Sequence, residues 1–433
     1  MLLRAEQDER LRFNTLDEWL DWQEELHFTS IELGLDRCNQ VAAKMGLLKP
    51  VYKVISVAGT NGKGSSVTML QSILRNAGYN TGSYISPHLI RYNERICING
   101  KEVSDEILCA SFNRIDRARG DISLTYFEFG TLAAFDIFQR AGIDIAILEV
   151  GLGGRLDAVN CLDADAALIT SIDIDHENWL GHDREAIGRE KAGIMRSTSP
   201  AIYSDIDPPD SVISCASELG TDLYILNRDF FFEESSDTWS WRSRENRINE
   251  LPFPSLYNRT QIMNASGVLM ALETMADVCP VSIEAIRNGL RDFNLAGRFQ
   301  VVPDKAQLVL DVAHNREAAA LLVSNLERLP VQGETHVLIG MLRDKNHSAV
   351  FRELEAVTDK WHLVTLEGPR GTDSAYLREQ LLIDIPEDRI TCYNTVPEAL
   401  DRVRELVKPQ DRIVVTGSFL TVGAAVQYLK LQH

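Results

Sequence analysis

The chain of 433 residues lacks the marks of several large protein classes. Its seven cysteines (38, 97, 109, 161, 215, 279 and 392) are scattered, odd in number and never spaced as CxxC. That excludes a disulfide frame or a cysteine zinc site and points to reduced thiols. Basic residues are scarce, with 44 Lys+Arg against 63 Asp+Glu and a net charge of −19. So acidic a chain offers no broad positive field to nucleic acid or to an anionic membrane. No apolar run approaches the roughly 18 residues of a membrane span. The opening MLLRAEQDERLRF alternates charge with leucine, so no signal peptide is expected and a cytoplasmic location follows. No internal repeat or low-complexity stretch stands out.

What remains is ample core material. The chain is 45% hydrophobic and 25% charged, and at about 150 residues per domain its length predicts two or three domains. Residues 14–46 have helical spacing in TLDEWLDWQEELHF and LGLDRCNQVAAKMGLL. From Tyr52 the texture changes to KVISVA, the turn GTNGKGSS and the helical VTMLQSILRNAGY. TGSYIS, helical TLAAFDIFQRAG, IDIAILEV and AALITSID follow. Short apolar strands between helices predict a parallel sheet covered on both faces. Residues 200–255 read as turns and antiparallel strands, and NASGVLMALETMA and SIEAIRNGLRDF as two helices. A second alternation of AQLVLDVA, HVLIGML, WHLVTLE and RIVVTGS with helices predicts a smaller α/β domain. The expected fold class is thus α/β in two domains, divided between 296 and 297.

The loop Gly59-Thr60-Asn61-Gly62-Lys63-Gly64-Ser65-Ser66 carries the most chemistry. Glycines turn backbone N–H groups toward an anion, the following helix adds its positive end, and a lysine reaches the outer phosphates. The spacing is not GxxxxGK[ST]: Val57 stands where the first glycine belongs, and Gly64 separates Lys63 from Ser65. Glu149, closing a buried strand before Gly-Leu-Gly-Gly-Arg155, is placed to hold Mg²⁺ or to partner a loop. Asp173, Asp175 and His176 read either as metal ligands or as a hydrogen-bonded cluster. Lys191 sits on a helix, where most lysines are solvated. Arg298, Asp311 and His314 open the second domain and would suit a clamp on phosphate and sugar, although each alone has an ordinary structural reading.

Taken in order, VAGTNGKGSS, SPHLIRYNERI, GDISLTYFEFGTLAAF, LEVGLGGRLDAVN, SIDIDHENWLG, GREKAGI, GRFQVV and LDVAHN resemble the bifunctional bacterial dihydrofolate synthase/folylpolyglutamate synthases of the Mur-type ligase superfamily. The resemblance runs from Leu26 to the C-terminal VVTGSFLTV. It implies an N-terminal P-loop ATPase-type domain that also binds pteroate, and a C-terminal Rossmann-like domain on the glutamate side. It implies ATP-dependent joining of L-glutamate to 7,8-dihydropteroate and to reduced folates through an acyl phosphate, with no nucleic-acid or membrane partner and no need for more than a monomer. Thr60, Asn61, Gly62, Lys63, Gly64 and Ser65, with Asn264, Arg298 and Asp311, would contact ATP. Ser86, Glu149 and His176 would serve two Mg²⁺ sites, with an optional monovalent cation. Lys191 matches a carbamylated lysine and His314 a residue beside the reacting centre. The pteridine side would use Glu25, Leu26, His27 and Phe28, then Thr125, Tyr126, Phe127 and Glu128, then Leu156, Asp157 and Ala158. Departures from the pattern are Glu177 after His176, Ala296 before GRF, Arg316 after AHN, and the residues around Gln261.

Amide formation from a carboxylate in water is uphill, so activation by phosphoryl transfer fits this set, with Lys63, Mg²⁺ and Arg298 around the developing charge. Closure of two domains would shield the intermediate from water. A cell-wall precursor ligase is disfavoured by TYFEFGT and GLGGRLDA. A nucleotide-gated switch leaves the second domain unexplained, and a dead binding module leaves Lys63, Glu149 and His176 unexplained.

Overall fold

A computed structural model of the chain describes residues 11–29, 31–254 and 258–431. Residues 1–10, read above for a leader, lie outside them. Two compact units emerge: residues up to His88 with Tyr92–Phe293, and Leu89–Arg91 with the residues from Asn294 onward.

The first unit is built on an eight-stranded sheet. Its strands are β1 (Lys53–Ala58), β2 (Thr81–Tyr84), β3 (Ile96–Ile98), β4 (Lys101–Glu102), β5 (Ile145–Glu149), β6 (Ala166–Ile169), β7 (Ala201–Tyr203) and β8 (Leu223–Ile225), in the spatial order β4-β3-β2-β5-β1-β6-β7-β8. Six strands are parallel, and β3 and β4 form an antiparallel hairpin at one edge. The expected parallel sheet is therefore mixed; two strands of three and two residues are too short for a period-2 signal to register. The central strands read as unbroken apolar runs because helices cover both faces, and β5 is buried at every residue. Segment 230–254 forms a separate antiparallel sheet, β9 (Phe231–Glu234), β10 (Trp239–Arg242) and β11 (Arg247–Leu251). Alternation in β10 turns Trp239 and Trp241 inward, and the Trp241 indole donates to Ser266 O (3.2 Å) on the helix Arg259–Thr274.

The second unit has six strands, β12 (Gln300–Val302), β13 (Gln307–Leu310), β14 (Thr335–Ile339), β15 (Lys360–Val364), β16 (Ile390–Tyr393) and β17 (Arg412–Thr416), ordered β12-β13-β17-β14-β15-β16. Only β12 is antiparallel. The sequence alternation passes over β16 and the helix Val396–Leu406. β16 is an edge strand with mostly uncovered side chains, so ITCY lacks the apolar run that marks its neighbours. Leu89 and Ile90 pack against this unit's core, Leu89 beside Val312 and Val422. No helix among the described residues is long and apolar enough to cross a membrane.

Two histidines are buried in the second sheet. His336 Nδ1 and His362 Nε2 are 3.0 Å apart with rings nearly parallel, and His362 Nδ1 lies 3.2 Å from the Tyr393 hydroxyl. Burial lowers both imidazoles, His362 to about 3, whereas an unfolded histidine titrates near 6.5. The folded form thus binds fewer protons below that value, and the stability present above it is lost as pH falls. Urea midpoints should drop between about pH 7.5 and about pH 5, and His362→Gln should flatten that drop. An unchanged acid dependence in the variant would contradict the assignment.

Candidate active site

In the first unit the functional side chains gather where neighbouring parallel strands end. β1 runs into Gly59–Gly62 and the helix Lys63–Asn76. Gly59 adopts φ 152°, and a Cβ there would lie 1.8 Å from Thr170 Oγ1. Gly62 adopts φ 86°, and a Cβ there would lie 2.7 Å from Asn264 Oδ1. Only glycine meets both demands of left-handed backbone and close approach. The loop is fastened from beneath: Thr60 N–H donates to Ser171 O (2.7 Å), Thr60 Oγ1 to Asp173 O (3.0 Å), and Thr170 Oγ1 to Asn61 O (2.6 Å). Lys63 Nζ donates to Gly59 O (2.9 Å) and Thr60 O (3.1 Å). Lys191, almost fully buried, also reaches Gly59 O (2.8 Å). It is not the solvated lysine that helix statistics favour. Ser65 Oγ accepts from Gln261 Nε2 (3.0 Å), so the departure around Gln261 forms a buried link between the loop helix and the helix carrying Asn264.

Glu149 ends β5 as a buried carboxylate and accepts from Ser86 N–H (3.2 Å). Ser86 and Glu149 are thus neighbours, and a hydroxyl with a carboxylate is a hard donor set of the kind Mg²⁺ takes while keeping waters and phosphate oxygens. His176 sits in the left-handed region at φ 54°, ψ 39°, a conformation a non-glycine residue holds where surrounding structure imposes it. Its neighbour Glu177 turns to His182 (3.2 Å) on the surface. Among the described residues no three His, Cys, Asp or Glu side chains stand together as a metal cluster.

The three stretches expected on the pteridine side meet. His27 Nδ1 contacts Ser123 Oγ (2.5 Å) and its Nε2 contacts Glu32 (2.7 Å). Glu32 pairs with Arg37, which pairs with Glu128 (3.2 Å). Gly34 N–H donates to Leu156 O (3.1 Å). Thr125 and Glu128 form a reciprocal cap on the helix Tyr126–Ala141, the T-x-x-E capping box, so Glu128 holds structure before it can touch a ligand. Glu25 is exposed at the end of the helix Leu16–Leu26 and Leu26 is half-buried beside it. Phe28 is 84% exposed with its ring 4.4 Å from that of His27. Asp157 caps Ala158–Cys161, accepting from Leu152 N–H (2.8 Å) and Val159 N–H (3.0 Å). Burial pushes its carboxyl up to about 7 against those hydrogen bonds. Thr170 and the Arg37–Glu128 pair escaped the sequence reading because the partners are remote in the chain, whereas Glu32, five residues from both His27 and Arg37, matches no motif.

In the second unit Asp311 follows β13 and accepts from Phe299 N–H and Ala313 N–H (2.8 Å each). Burial raises its carboxyl, opposed by the Arg298 charge. Arg298 lies 4.8 Å over the Phe419 ring, and His314 is 6.1 Å from the same ring. His314 Nδ1 contacts Val312 O (2.8 Å), so that nitrogen carries the proton. Arg298, Asp311 and His314 therefore share one neighbourhood. Arg316 occupies the first position of the helix Arg316–Arg328 and pairs with Glu353 (2.9 Å). Proline suits that position because its missing N–H costs nothing there, so arginine replaces it without altering the turn.

These features define an ATP-dependent ligase. Residues 57–214 match the Mur ligase middle domain and 297–419 the Mur ligase glutamate ligase domain. The dihydrofolate synthase/folylpolyglutamate synthase of Escherichia coli is 43% identical over 96% of this chain and 95% of its own length, and that of Haemophilus influenzae 40% identical over 94% and 96%. The solved E. coli protein FolC in complex with DHPP and ADP superposes with TM-score 0.92 at 42% identity, covering 98% of this chain and 99% of that one. A bifunctional folylpolyglutamate synthase/dihydrofolate synthase with Mn, AMPPNP and L-glutamate bound gives 0.90 at 43% identity, covering 98% and 100%. The chain belongs to the dihydrofolate synthase/folylpolyglutamate synthase family. Its activity is that of the family, in folate biosynthesis.

Gly62→Ala should collapse turnover by roughly 10²-fold or more, the scale of a misplaced catalytic contact, because the added methyl must displace Asn264 or the loop. Nucleotide titration and steady-state assay of the purified variant check this. Wild-type kinetics in the variant would mean the loop tolerates both strain and contact.

Proposed function

We propose that the first unit binds ATP and the pteroyl substrate, that the second supplies the glutamate side, and that the enzyme works as a cytoplasmic monomer. The observation that carries this is the loop at the end of β1, where Lys63 and Lys191 converge on Gly59 O. β1 lies next to the strand that ends in Glu149 beside Ser86. Lys63 brings the positive charge, and Lys191, once carbamylated, an oxygen ligand. Positive charge and backbone N–H groups focused at the edge of a parallel sheet suit a polyphosphate.

ATP then lies with its phosphates over Thr60–Ser65, and Asn264, Arg298 and Asp311 contact the nucleotide. Ser86, Glu149 and His176 would hold Mg²⁺ at two sites, and bound there it would offset phosphate charge. The pteroyl group lies along Glu25–Phe28, Thr125–Glu128 and Leu156–Ala158, with Phe28 offering an uncovered ring. A carboxylate oxygen of the substrate attacks the γ-phosphorus, the bond to ADP breaks, and an acyl phosphate forms. Lys63 and Arg298 stabilise the charge on the transferring group. The amine of L-glutamate next attacks the acyl carbon, inorganic phosphate leaves, and the nitrogen gives up its proton. His314 stands beside this centre. Dihydropteroate yields dihydrofolate, and reduced folates gain further glutamates. Incubation with ATP, Mg²⁺, glutamate and either acceptor, with products identified by mass, tests the reading; a chain that extends folates but never condenses dihydropteroate would reduce it to one activity.

Lys63→Ala should lower the rate by roughly 10²–10³-fold while melting and circular dichroism stay those of the wild type. A folded variant with near-normal turnover would remove Lys63 from the mechanism.

Lys191 is carbamylated in the working enzyme on this reading, since CO₂ addition to a buried amine beside metal ions turns a repelled cation into an oxygen ligand. Native mass spectrometry in bicarbonate should show one added CO₂, lost on denaturation and absent from Lys191→Ala. That variant should be nearly inactive and partly rescued by a short carboxylic acid. An active, unmodified wild type would contradict it.

A further inference from the structure

The segment that supplies Ser86 carries a second group, Arg95, to which the mechanism above gives no task. Arg95 closes the 3₁₀ turn Tyr92–Arg95 and is 8% exposed. Its carbonyl accepts from Ile85 N–H (2.9 Å), which ties it to the residue preceding Ser86 and hence to the end of β2, where Ser86 meets Glu149. The side chain is held on three sides. Nε donates to His88 Nδ1 (2.8 Å), and the guanidinium carbon lies 5.2 Å from the ring centre of Tyr92 and 5.4 Å from that of Tyr126.

These contacts use one of the five N–H donors of a guanidinium. Among the described residues the terminal nitrogens have no hydrogen-bond acceptor and no carboxylate forms an ion pair with them, yet they are not sealed from solvent. A cation stripped of most of its water is costly unless an anion meets it. An arginine fork fixed in orientation matches a carboxylate through two parallel hydrogen bonds, a geometry lysine cannot reproduce. One of its aromatic walls, Tyr126, belongs to the Thr125–Glu128 stretch assigned to the pteroyl group.

We infer that Arg95 recognises the carboxylate of the pteroyl substrate, with the Tyr126 ring against the aminobenzoyl ring and His88 as the positioning residue that aims the fork. The inference rests on the functional reading above and names the residue that holds the acid for activation.

Two probes separate this role from a structural one: 7,8-dihydropteroate, and its decarboxylated analogue carrying a plain anilinomethyl group on the dihydropterin. Arg95→Met should weaken binding of dihydropteroate roughly ten- to hundredfold, the range for a lost charge-assisted hydrogen bond, and leave the analogue unaffected. KM for dihydropteroate should rise while KM for ATP and for glutamate stays put. Arg95→Lys, which keeps charge and stacking but not the fork, should recover only part of the loss and provides the reading should the methionine variant fail to fold. His88→Asn, which retains an acceptor for Nε–H, should cost less than Arg95→Met. Equal weakening of both probes would mark Arg95 as structural and overturn the inference. So would an unchanged KM for dihydropteroate in either Arg95 variant. A wild-type chain that makes no dihydrofolate would instead overturn the functional reading, and this inference with it.

Discussion

Two lysine side chains from different elements meeting at one backbone carbonyl oxygen, Gly59 O, form the contact on which the rest of the site depends. Lys63 comes from the helix after the loop and Lys191 from the helix Arg184–Ala192, so the carbonyl joins two elements far apart in sequence. Through Lys63 it also places positive charge at the loop in a protein of net charge −19. An acidic chain gains little for anion binding from its overall field and must concentrate cations locally. The glycines on either side are held to their identity by Thr170 and Asn264, which leave no room for a Cβ.

The sheet explains why these groups can meet. β2, β5, β1 and β6 are neighbours, and all four are parallel. Their C-terminal ends deliver the Ser86 segment, Glu149, Gly59 and Thr170 to one edge. Ligands of open α/β sheets bind at that edge because loops there are free to vary while strands fix their origins. In the second unit β13 does the same for Asp311, with Phe419 as the common surface for Arg298 and His314.

Legibility in the sequence followed the range of the interactions. The strand, glycine turn and helix around Lys63 were readable because each signal is local, and so were β1, β2, β5 and β6 of the first sheet and β13, β14, β15 and β17 of the second, mostly as apolar runs. β16 was not, since an edge strand with exposed side chains carries no such run. β7 and β8, parallel strands of three residues each within 200–255, were read instead as part of a stretch of turns and antiparallel strands. Lys191 shows the limit: its helix was apparent, but nothing local says that a lysine in REKAGI turns inward to a carbonyl more than a hundred residues away. Glu128 shows a second role beside the one the resemblance implies. TYFE has the spacing of a capping box, and the structure caps the helix with it and pairs its carboxylate with Arg37. Of the chain His27–Glu32–Arg37–Glu128, the last link was invisible because it pairs across the fold, and the first two, each spanning five residues, match no motif.

The placement of Leu89–Arg91 with the second unit bears on how this protein can be dissected. The chain passes between the units three times rather than once, leaving the first at residue 88, returning at 92 and leaving again at 293. A clone beginning at Asn294 is therefore not the second unit in isolation, because it omits Leu89 and Ile90 and uncovers part of the apolar core, around Val312 and Val422, that they pack against. A fragment ending at Phe293 carries the complementary fault, with Leu89 and Ile90 left without the core they pack against. Faithful halves would need residues 89–91 grafted onto one piece and a short polar bridge from 88 to 92 in the other, so a cut at a single linker yields fragments prone to aggregate or to seek each other out.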